Sequence, residues 1–415
     1  MFAPFPSSLF FGDIHLNNSG TTLFQGCENA TFNGNAFSCG GSGVWQWNDG
    51  NLTNSIPGTD QLPGAVGESS GEEFVDATRN GRIAFMANLS VNNGNTRGLW
   101  SNGPDGNRLV VLEGQMVPTI SNGDRRFSFN LLDSDRVINS NGAVAFGGRV
   151  SLPNSSSEDG IWIRDQSIRP IVLSGEVLPG TNGLILDDRA GIESVHLSDH
   201  GEVVFEAELD FEEFGRDAVI LASDAGNFRV LAREGSEAPG GGTFQGVSFS
   251  PFSELSANAQ GDAVFLSSLS DSSSSDTEGV FVDRGDGLEA VFRDFFPRIE
   301  GIAINNNQQV AFASRTSIMA ETADLELFDI VSLGDEIEVS QGDIRVVTSL
   351  AFAGELGFND LGQIAFRAGF QDGSSGVFVS NAVAVPEPSV MSLGAVLIAT
   401  GWYSLRRRRE YSRFG

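Results

Sequence analysis

The sequence predicts an all-β fold, a seven-bladed β-propeller with about 60 residues per blade. The first observation is a phrase at 139–146, which opens with Asn139, turns at Gly142 and runs through an apolar strand to Phe146. The second is that this phrase recurs along the chain, with its Phe at Phe24, Phe85, Phe146, Phe205, Phe265, Phe312 and Phe366. The third is composition, because 51 Gly and 32 Phe without a long amphipathic helical run favour turn-rich, Phe-packed strands.

The turn within the phrase follows from two of its positions. Short polar side chains that fold back onto backbone N–H groups open it, and they are Asn17, Thr78, Asn139, Ser198, Asn258, Asn305 and Asn359. Glycine, which tolerates positive φ, closes most copies at Gly81, Gly142, Gly201, Gly261 and Gly362. Gln308 replaces this glycine in the sixth copy, where the repeat is shortest. The sequence therefore predicts a distorted turn and an irregular sixth blade.

The strand after the turn is apolar on both faces, since Val144 and Phe146 point one way and Ala145 the other. A sheet with one wet face would alternate apolar and polar residues instead. We therefore expect stacked sheets in which the repeated residues are structural. The turn and core positions predicted in this way are Asn139, Gly142, Phe146, Gly81, Phe85, Gly201, Phe205, Gly261, Phe265, Gly362 and Phe366.

The repeats place the propeller at residues 1–380, and the chain begins in mid-repeat. Residues 1–11 have no basic region or cleavage site of a signal peptide. We infer that the true N-terminus, with an export signal and missing strands, lies upstream. The alternative is that residues 1–11 are themselves a closing strand.

Charge separates the body of the protein from its tail. The chain has no Lys, and before Pro386 it has 20 Arg against 52 acidic residues, whereas the rest has five Arg against two. The body therefore has a net charge of 20 − 52 = −32. Such a body repels phosphate backbones, so we expect no nucleic-acid partner.

Cys27 and Cys39 are the only two cysteines, and they bracket a loop rich in Asn and Gly. Two nearby cysteines in an exported chain predict one disulfide. A zinc site would need further ligands, and only His15 is close in sequence.

The sequence offers little catalytic chemistry. It has three histidines, His15, His196 and His200, and no phosphate loop, paired metal-binding histidines or nucleophile elbow. The segment Asp271–Asp276 offers oxygen ligands to Ca²⁺ but fits no calcium-loop spacing. We therefore interpret it as a surface loop, and we expect no cofactor and no enzyme activity. The alternative is an extracellular carbohydrate-active hydrolase or lyase with carboxylates in the propeller channel.

The C-terminal residues predict a membrane segment. The linker 381–389 contains Pro386, Glu387 and Pro388, the apolar run 390–405 follows, and the basic tail 406–415 contains Arg406, Arg407, Arg408 and Arg409. A helix of this length is short for a bilayer but can insert if the arginines reach the cytoplasmic side. We predict a transmembrane helix over 390–405.

This order of Pro-Glu-Pro, apolar run and Arg cluster resembles the PEP-CTERM protein-sorting signal of Gram-negative bacteria. The resemblance implies an exosortase-type sorting enzyme as partner. It also implies an inner-membrane anchor before processing, and later residence at the cell surface or in an extracellular, exopolysaccharide-rich matrix. Possible binding partners are then extracellular polysaccharides.

The body resembles a tandem-repeat family named for its Asn-x-x-Gly-x-x-Ala-Phe phrase, whose members have varied C-terminal anchors. Asn139, Gly142, Ala145 and Phe146 match the phrase fully, whereas Thr78, Ser198 and Gln308 depart from it. The family implies no mechanism. We therefore expect an exported, membrane-anchored or exosortase-processed protein with a non-catalytic binding or structural propeller.

Overall fold

The structure is a computed structural model of the whole chain. The residues that it describes are 14–19, 21–28, 31–33, 36–38, 41–48, 51–54, 62, 68–78, 80–91, 94–103, 106–116, 126–128, 136–151, 157–181, 183–186, 192–209, 217–222, 227–245, 252–270, 277–295, 299–322, 324–352 and 354–381.

The described part of the chain is all-β and propeller-like, with seven antiparallel sheets of four or five strands in chain order. Sheet 1, with a two-stranded hairpin inserted, is built from β1 (Ile14–Leu16), β2 (Thr22–Glu28), β3 (Thr31–Asn33), β4 (Ala36–Ser38), β5 (Gly41–Asn48) and β6 (Asn51–Asn54). Sheet 2 is built from β7 (Glu68–Ala77), β8 (Ile83–Val91), β9 (Gly94–Gly103) and β10 (Gly106–Leu112). Sheet 3 is built from β11 (Arg126–Ser128), β12 (Arg136–Ile138), β13 (Val144–Ser151), β14 (Ser157–Arg164) and β15 (Ile168–Leu173).

The remaining sheets repeat this order. Sheet 4 is built from β16 (Ile192–Leu197), β17 (Val203–Glu208), β18 (Asp217–Ala222) and β19 (Phe228–Arg233). Sheet 5 is built from β20 (Thr243–Phe244), β21 (Phe252–Ala257), β22 (Ala263–Ser270), β23 (Thr277–Asp283) and β24 (Leu288–Phe295). Sheet 6 is built from β25 (Glu300–Ile304), β26 (Val310–Ala313), β27 (Ser317–Glu321) and β28 (Leu327–Ser332). Sheet 7 is built from β29 (Glu336–Ser340), β30 (Asp343–Phe352), β31 (Ala365–Phe370) and β32 (Ser375–Val379), with a 3₁₀ turn at Gly354–Gly357.

The repeated Phe lies on the strand that follows the turn and pairs with the next strand of its sheet. Phe146 is opposite Trp162, and the two rings stack with centroids 6.2 Å apart. Phe265 and Phe281 are related in the same way, with centroids 5.7 Å apart. Offset stacking of this kind stabilises neighbouring strands beyond the burial of area alone.

Successive sheets stack on one another, as the apolar pattern predicts. Val144, Ala145 and Phe146 are all buried. Ala145 packs in a cluster with sheet 4, while Val144 and Phe146 pack in a cluster with sheet 2. Small Ala on one face and large Phe on the other therefore fill the spaces between adjacent sheets.

The predicted turn is present, but its predicted distortion in the sixth copy is wrong. In the third copy Asn139 N donates to Ala143 O at 2.9 Å and Gly142 has a φ of 84°. In the sixth copy Asn305 N donates to Gln309 O at 3.0 Å, and Gln308 adopts a φ of 64°. Sheet 6 also keeps four strands. The turn hydrogen bonds, and a side-chain bond from Gln308 Nε2 to Asp262 Oδ2 at 3.0 Å, hold this non-glycine residue in the left-handed region.

Two observations on the C-terminal part concern the predicted seventh blade and the predicted membrane segment. In sheet 7 the strand β31, which contains Phe366, is third in order, and β32 has no further strand beside it among the described residues. The predicted membrane segment 390–405 lies outside the described residues. Within the described ranges, no helix has the length and apolarity needed to cross a membrane.

Candidate functional site

The turns of the repeated phrase are linked from one sheet to the next by asparagine side chains. Within its own turn, Asn139 Oδ1 accepts hydrogen bonds from Asn141 N at 3.1 Å and Ala143 N at 2.9 Å. Its Nδ2 donates to Ser198 O, in the turn of sheet 4, at 2.9 Å. Asparagine thus satisfies its own turn with its oxygen and holds the neighbouring sheet with its nitrogen.

The same link recurs around the molecule and joins the last sheet to the first. Asn258 Nδ2 donates to Asn305 O at 3.1 Å, and Asn305 Nδ2 donates to Asn359 O at 3.2 Å. Asn359 Nδ2 donates to Asn17 O at 3.3 Å. A second bond, from Asn18 Nδ2 to Asp360 Oδ2 at 2.6 Å, joins the same two turns. The first and seventh sheets are therefore connected as neighbours.

Ser198 shows what the amide nitrogen contributes. Its Oγ accepts hydrogen bonds from His200 N at 3.2 Å and Glu202 N at 3.0 Å, so it closes its own turn. The hydroxyl carries its acceptor and its donor on one atom, which stays at its own turn, whereas asparagine carries its NH2 donor on a separate atom. Here the link is a backbone bond from Asp199 N to Ala259 O at 2.8 Å. Asparagine therefore suits a bond between sheets, and serine suffices for the turn alone.

Charged side chains meet between sheets 4 and 5, close to this ring of turns. Arg229 on β19 forms two hydrogen bonds to buried Asp283 at the end of β23, at 2.7 and 3.2 Å. Glu202, which follows Gly201, lies with its Oε2 against Gly261 of the next turn. Burial raises the pKa of Asp283, but the hydrogen bonds from Arg229 and from the backbone of Gly285 outweigh it and lower that pKa.

Between sheets 5 and 6 the equivalent positions are all acidic, and one arginine compensates them. They are Asp262 after Gly261, Glu289 on β24 and Glu321 at the end of β27. Arg284 Nη2 is 2.6 Å from Glu321 Oε2 and its Nη1 is 3.2 Å from Glu289 Oε2. Its Nε donates to Gln308 O at 3.1 Å. We call the three acidic residues and Arg284 the acidic cluster.

Among the described residues, two carboxyl groups have a raised pKa, the property expected of a general acid. Burial raises the pKa of Glu321, against the opposing charge of Arg284. Burial also raises the pKa of Glu254, whose Oε1 accepts a hydrogen bond from Gly301 N at 2.9 Å. Both groups are engaged by neighbouring backbone or by Arg284, so their contacts are those of structural residues.

Other features of a catalytic or metal site are few in the described part of the chain. No group of His, Cys, Asp and Glu suited to holding a metal ion occurs within it. A hollow of about 330 Å³ lies between sheets 3 and 4, lined by Glu176 and by apolar residues that include Val172, Leu178 and Phe228. Exposed Val177 forms part of its rim.

Several predicted site residues lie where the structure does not describe them. The sorting motif at 386–388, the Arg cluster at 406–409 and the candidate calcium loop at 271–276 are all outside the described residues. Cys27 lies on β2, opposite Ser42, whereas Cys39 is not described. The disulfide and the sorting signal therefore stay predictions.

Sequence reasoning found the ring of turns but missed the charged contacts between sheets. Arg229 and Asp283 are 54 residues apart and belong to successive repeats. The pattern within one repeat therefore contains only one of the two partners. The available signal was the repeat itself, because aligning copies on their Phe brings the charged positions of neighbouring sheets into register.

A family described as "Family of unknown function (DUF7453)" matches the chain over residues 16–316 and 287–392. No curated protein matches the chain.

Several solved structures are similar in outline. The β-propeller domain of the Trilobed protease from Pyrococcus furiosus is 9% identical, with 92% of this chain and 100% of that chain covered and a TM-score of 0.49. An oligogalacturonate lyase in complex with manganese is 12% identical, with 90% and 96% covered and a TM-score of 0.48. The polysaccharide lyase Uly1 is 8% identical, with 76% and 74% covered and a TM-score of 0.35. Similarities this weak carry no argument about activity.

Proposed function

The chain belongs to the family of unknown function DUF7453, and we propose that it is an exported bacterial surface or matrix protein whose propeller has a non-catalytic binding or structural role. In this proposal the seven sheets are the seven blades of a closed β-propeller. The apolar run 390–405 is a transmembrane helix that anchors the body until an exosortase-type enzyme processes the tail.

The observation that carries the non-catalytic role is the ring of turns. The residues that recur along the repeats are the ones that build turns, link neighbouring sheets or pack between them, as Asn139, Gly142 and Phe146 do. Residues repeated for chemistry would be expected to converge in one pocket. A scaffold whose repeated residues serve the frame leaves recognition to surface side chains between and above the sheets.

Contacts between successive sheets support seven blades in a closed ring. Asn359 and Asp360 are hydrogen-bonded to the turn of sheet 1, and each neighbouring pair of sheets between them shares a core or a turn contact. A propeller closed in this way has short, protected sheet edges, which suits a protein exposed outside the cell.

Export is supported by the tail, whose order of Pro386-Glu387-Pro388, apolar run and Arg406–Arg409 resembles a sorting signal. Fractionation of cells expressing the natural precursor, with and without residues 386–415, tests this part. We expect membrane-associated or surface protein with the tail and a change of fraction without it. Full-length protein that stays in the soluble cytoplasmic fraction would contradict export.

A further inference from the structure

Three arginines meet between sheets 2 and 3, at the positions that hold Glu202, Arg229 and Asp283 between sheets 4 and 5. Arg82 follows Gly81 in the turn, as Glu202 follows Gly201. Arg108 on β10 is paired with Ser101 of β9, just as Arg229 on β19 is paired with Leu221 of β18. Arg164 ends β14 opposite Val144, as Asp283 ends β23 opposite Ala263. We call Arg82, Arg108 and Arg164 the arginine triad.

The three side chains share one small volume near the turn of sheet 3. Arg108 Nη2 donates a hydrogen bond to Gly142 O, and Arg82 Nη1 lies against the Cα of the same Gly142. Arg108 Nη1 donates to Asp165 O at 3.2 Å, next to Arg164 in the chain. Arg164 Nη1 donates to Val110 O at 3.1 Å on the strand of Arg108. The guanidinium groups of Arg108 and Arg164 are thus held by backbone carbonyls, and that of Arg82 packs beside them.

No carboxylate of the described residues forms an ion pair with the triad. Asp165 is nearby, but its Oδ1 accepts Ser167 N at 3.1 Å and its Oδ2 is 3.9 Å from Arg169. Arg164 Nε is buried and has no hydrogen-bond partner among the described residues. Buried donors are nearly always satisfied, so this N–H is a donor available to a bound ligand.

The acidic cluster shows how like charges at the equivalent location between sheets 5 and 6 are neutralised. There the guanidinium of Arg284 contacts the carbonyl of Gln308, the counterpart of Gly142, and bridges Glu289 and Glu321. Arg284 comes from the hairpin 283–289, and the hairpin of equal length in sheet 2 is 102–108. The residue equivalent to Arg284 is Gly103, which has no side chain. Three like charges therefore meet between sheets 2 and 3. Among the described residues the carboxylate of Asp165 attracts Arg108, but it forms no ion pair with the triad.

We propose that the arginine triad is a binding site for a dianionic oxyanion, either free phosphate or sulfate or the phosphate ester of a sugar. Guanidinium groups present paired N–H donors that match oxyanions, and charge-assisted bonds of this kind are strong. Arg108 is exposed and Arg82 and Arg164 are half-buried, so the group is reachable from solvent. Partial desolvation, and then the charges of Arg164 and Arg82, lower the pKa of Arg108, which fits three cations held close together.

The charge of the whole protein favours a small ligand. The net charge is −29, so a long polyanion would be repelled by the acidic body even if one of its groups fitted the triad. A single phosphate or sulfate group meets only the local positive potential. This site gives a ligand class to the binding role proposed above, but it does not depend on export or on the tail.

The test is isothermal titration calorimetry with inorganic phosphate on the full-length chain, kept in mild non-ionic detergent and in Tris chloride buffer. Sulfate and glucose 6-phosphate form two further arms, which distinguish a free ion from a sugar ester, and acetate is the monovalent control. The variants are Arg108→Gln and Arg164→Gln. The matched control is Arg169→Gln, since Arg169 occupies the position of Arg108 on the next sheet.

We expect saturable phosphate binding by the natural protein, weakened about tenfold or more in either variant, as for the loss of one charge-assisted bond. Arg169→Gln is expected to bind as the natural protein does. Absence of saturable binding of phosphate and sulfate would overturn the proposal, and so would equal affinity in all three variants. A protein that binds phosphate yet fractionates in the cytoplasm would refute export and leave this site intact.

Discussion

The arginine triad between sheets 2 and 3 and the acidic cluster between sheets 5 and 6 occupy equivalent places in the repeat, yet they are neutralised differently. In the acidic cluster, Arg284 reaches the acids from its own hairpin and forms ion pairs with two of them. In the arginine triad, the position equivalent to Arg284 is Gly103, and the guanidinium groups of Arg108 and Arg164 donate to backbone carbonyls. The acidic cluster is neutralised by an arginine of the chain itself, whereas in our proposal the arginine triad is neutralised by an external anion.

The difference shows that repeated backbone geometry does not impose repeated chemistry. The turn and strand positions are fixed by φ, hydrogen bonding and packing, whereas the side chains between sheets vary in sign from one interface to the next. Binding can therefore arise at one interface of a structural repeat without disturbing the others.

The largest expected effect comes from removing the compensating charge of the acidic cluster. Arg284→Met leaves buried Glu321 without its ion-pair partner. Removal of one partner from a buried pair costs about 3–5 kcal/mol. The free energy of unfolding, measured by urea denaturation followed by circular dichroism, is expected to fall by that amount.

A double variant provides the control for this effect. In Arg284→Met/Glu321→Gln the uncompensated charge is absent, so a large part of the lost stability is expected to return. A single variant Arg284→Met that loses less than about 1 kcal/mol would place the pair among surface ion pairs and contradict this account.

The pair between sheets 4 and 5 is expected to contribute less and to depend on pH. Asp283→Asn removes the charge that binds Arg229, which is itself half-exposed, so we expect a loss of about 1–3 kcal/mol at neutral pH. The pKa of Asp283 is lowered in the folded protein. Its contribution is therefore complete above the pKa of an unfolded Asp and disappears as the pH falls through the folded value.

Urea denaturation across an acid-to-neutral pH series measures this dependence. The curves of the natural protein and of Asp283→Asn should converge at acid pH. Asp286→Asn, at an exposed position of the same hairpin, is the control and should change stability by less than about 0.5 kcal/mol at every pH. A constant offset between the first two proteins would show that packing, not charge, is responsible.

The frame of this protein was predictable from sequence because its causes are local. The turn of Asn139 and Gly142 and the apolar strand to Phe146 depend on neighbouring residues, so a period in the sequence reveals both. Gln308 was misread because tertiary hydrogen bonds hold it at positive φ. The triad was not predicted because Arg82, Arg108 and Arg164 are far apart in the chain and meet only when two sheets stack.

A smaller loss of stability is expected from glycine substitutions, and a pair of them distinguishes backbone strain from displacement of Arg82. Gly142 and Gly175 have positive φ, 84° and 77°, and an added Cβ would meet Arg82 at Gly142 but no atom within 4 Å at Gly175. Gly142→Ala and Gly175→Ala are each expected to cost about 1–2 kcal/mol from backbone conformation. Only Gly142→Ala should also weaken phosphate binding in calorimetry, because it displaces Arg82. Equal phosphate affinity in both variants would contradict the placement of Arg82 in the site.

The smallest expected change in stability comes from a substitution that gives the interface between sheets 2 and 3 the ion pair found between sheets 4 and 5. Arg164→Asp places a carboxylate where Asp283 stands between sheets 4 and 5, so Arg108 gains the partner that Arg229 has. Because Arg108 is exposed, the new ion pair should add only about 0.2–1 kcal/mol to the free energy of unfolding in phosphate-free buffer. The variant should then bind phosphate no better than acetate, since two arginines and a carboxylate replace three arginines. Thermal unfolding with and without phosphate measures both effects. Phosphate that still raises the Tm of Arg164→Asp as it does that of the natural protein would place the anion elsewhere on the surface.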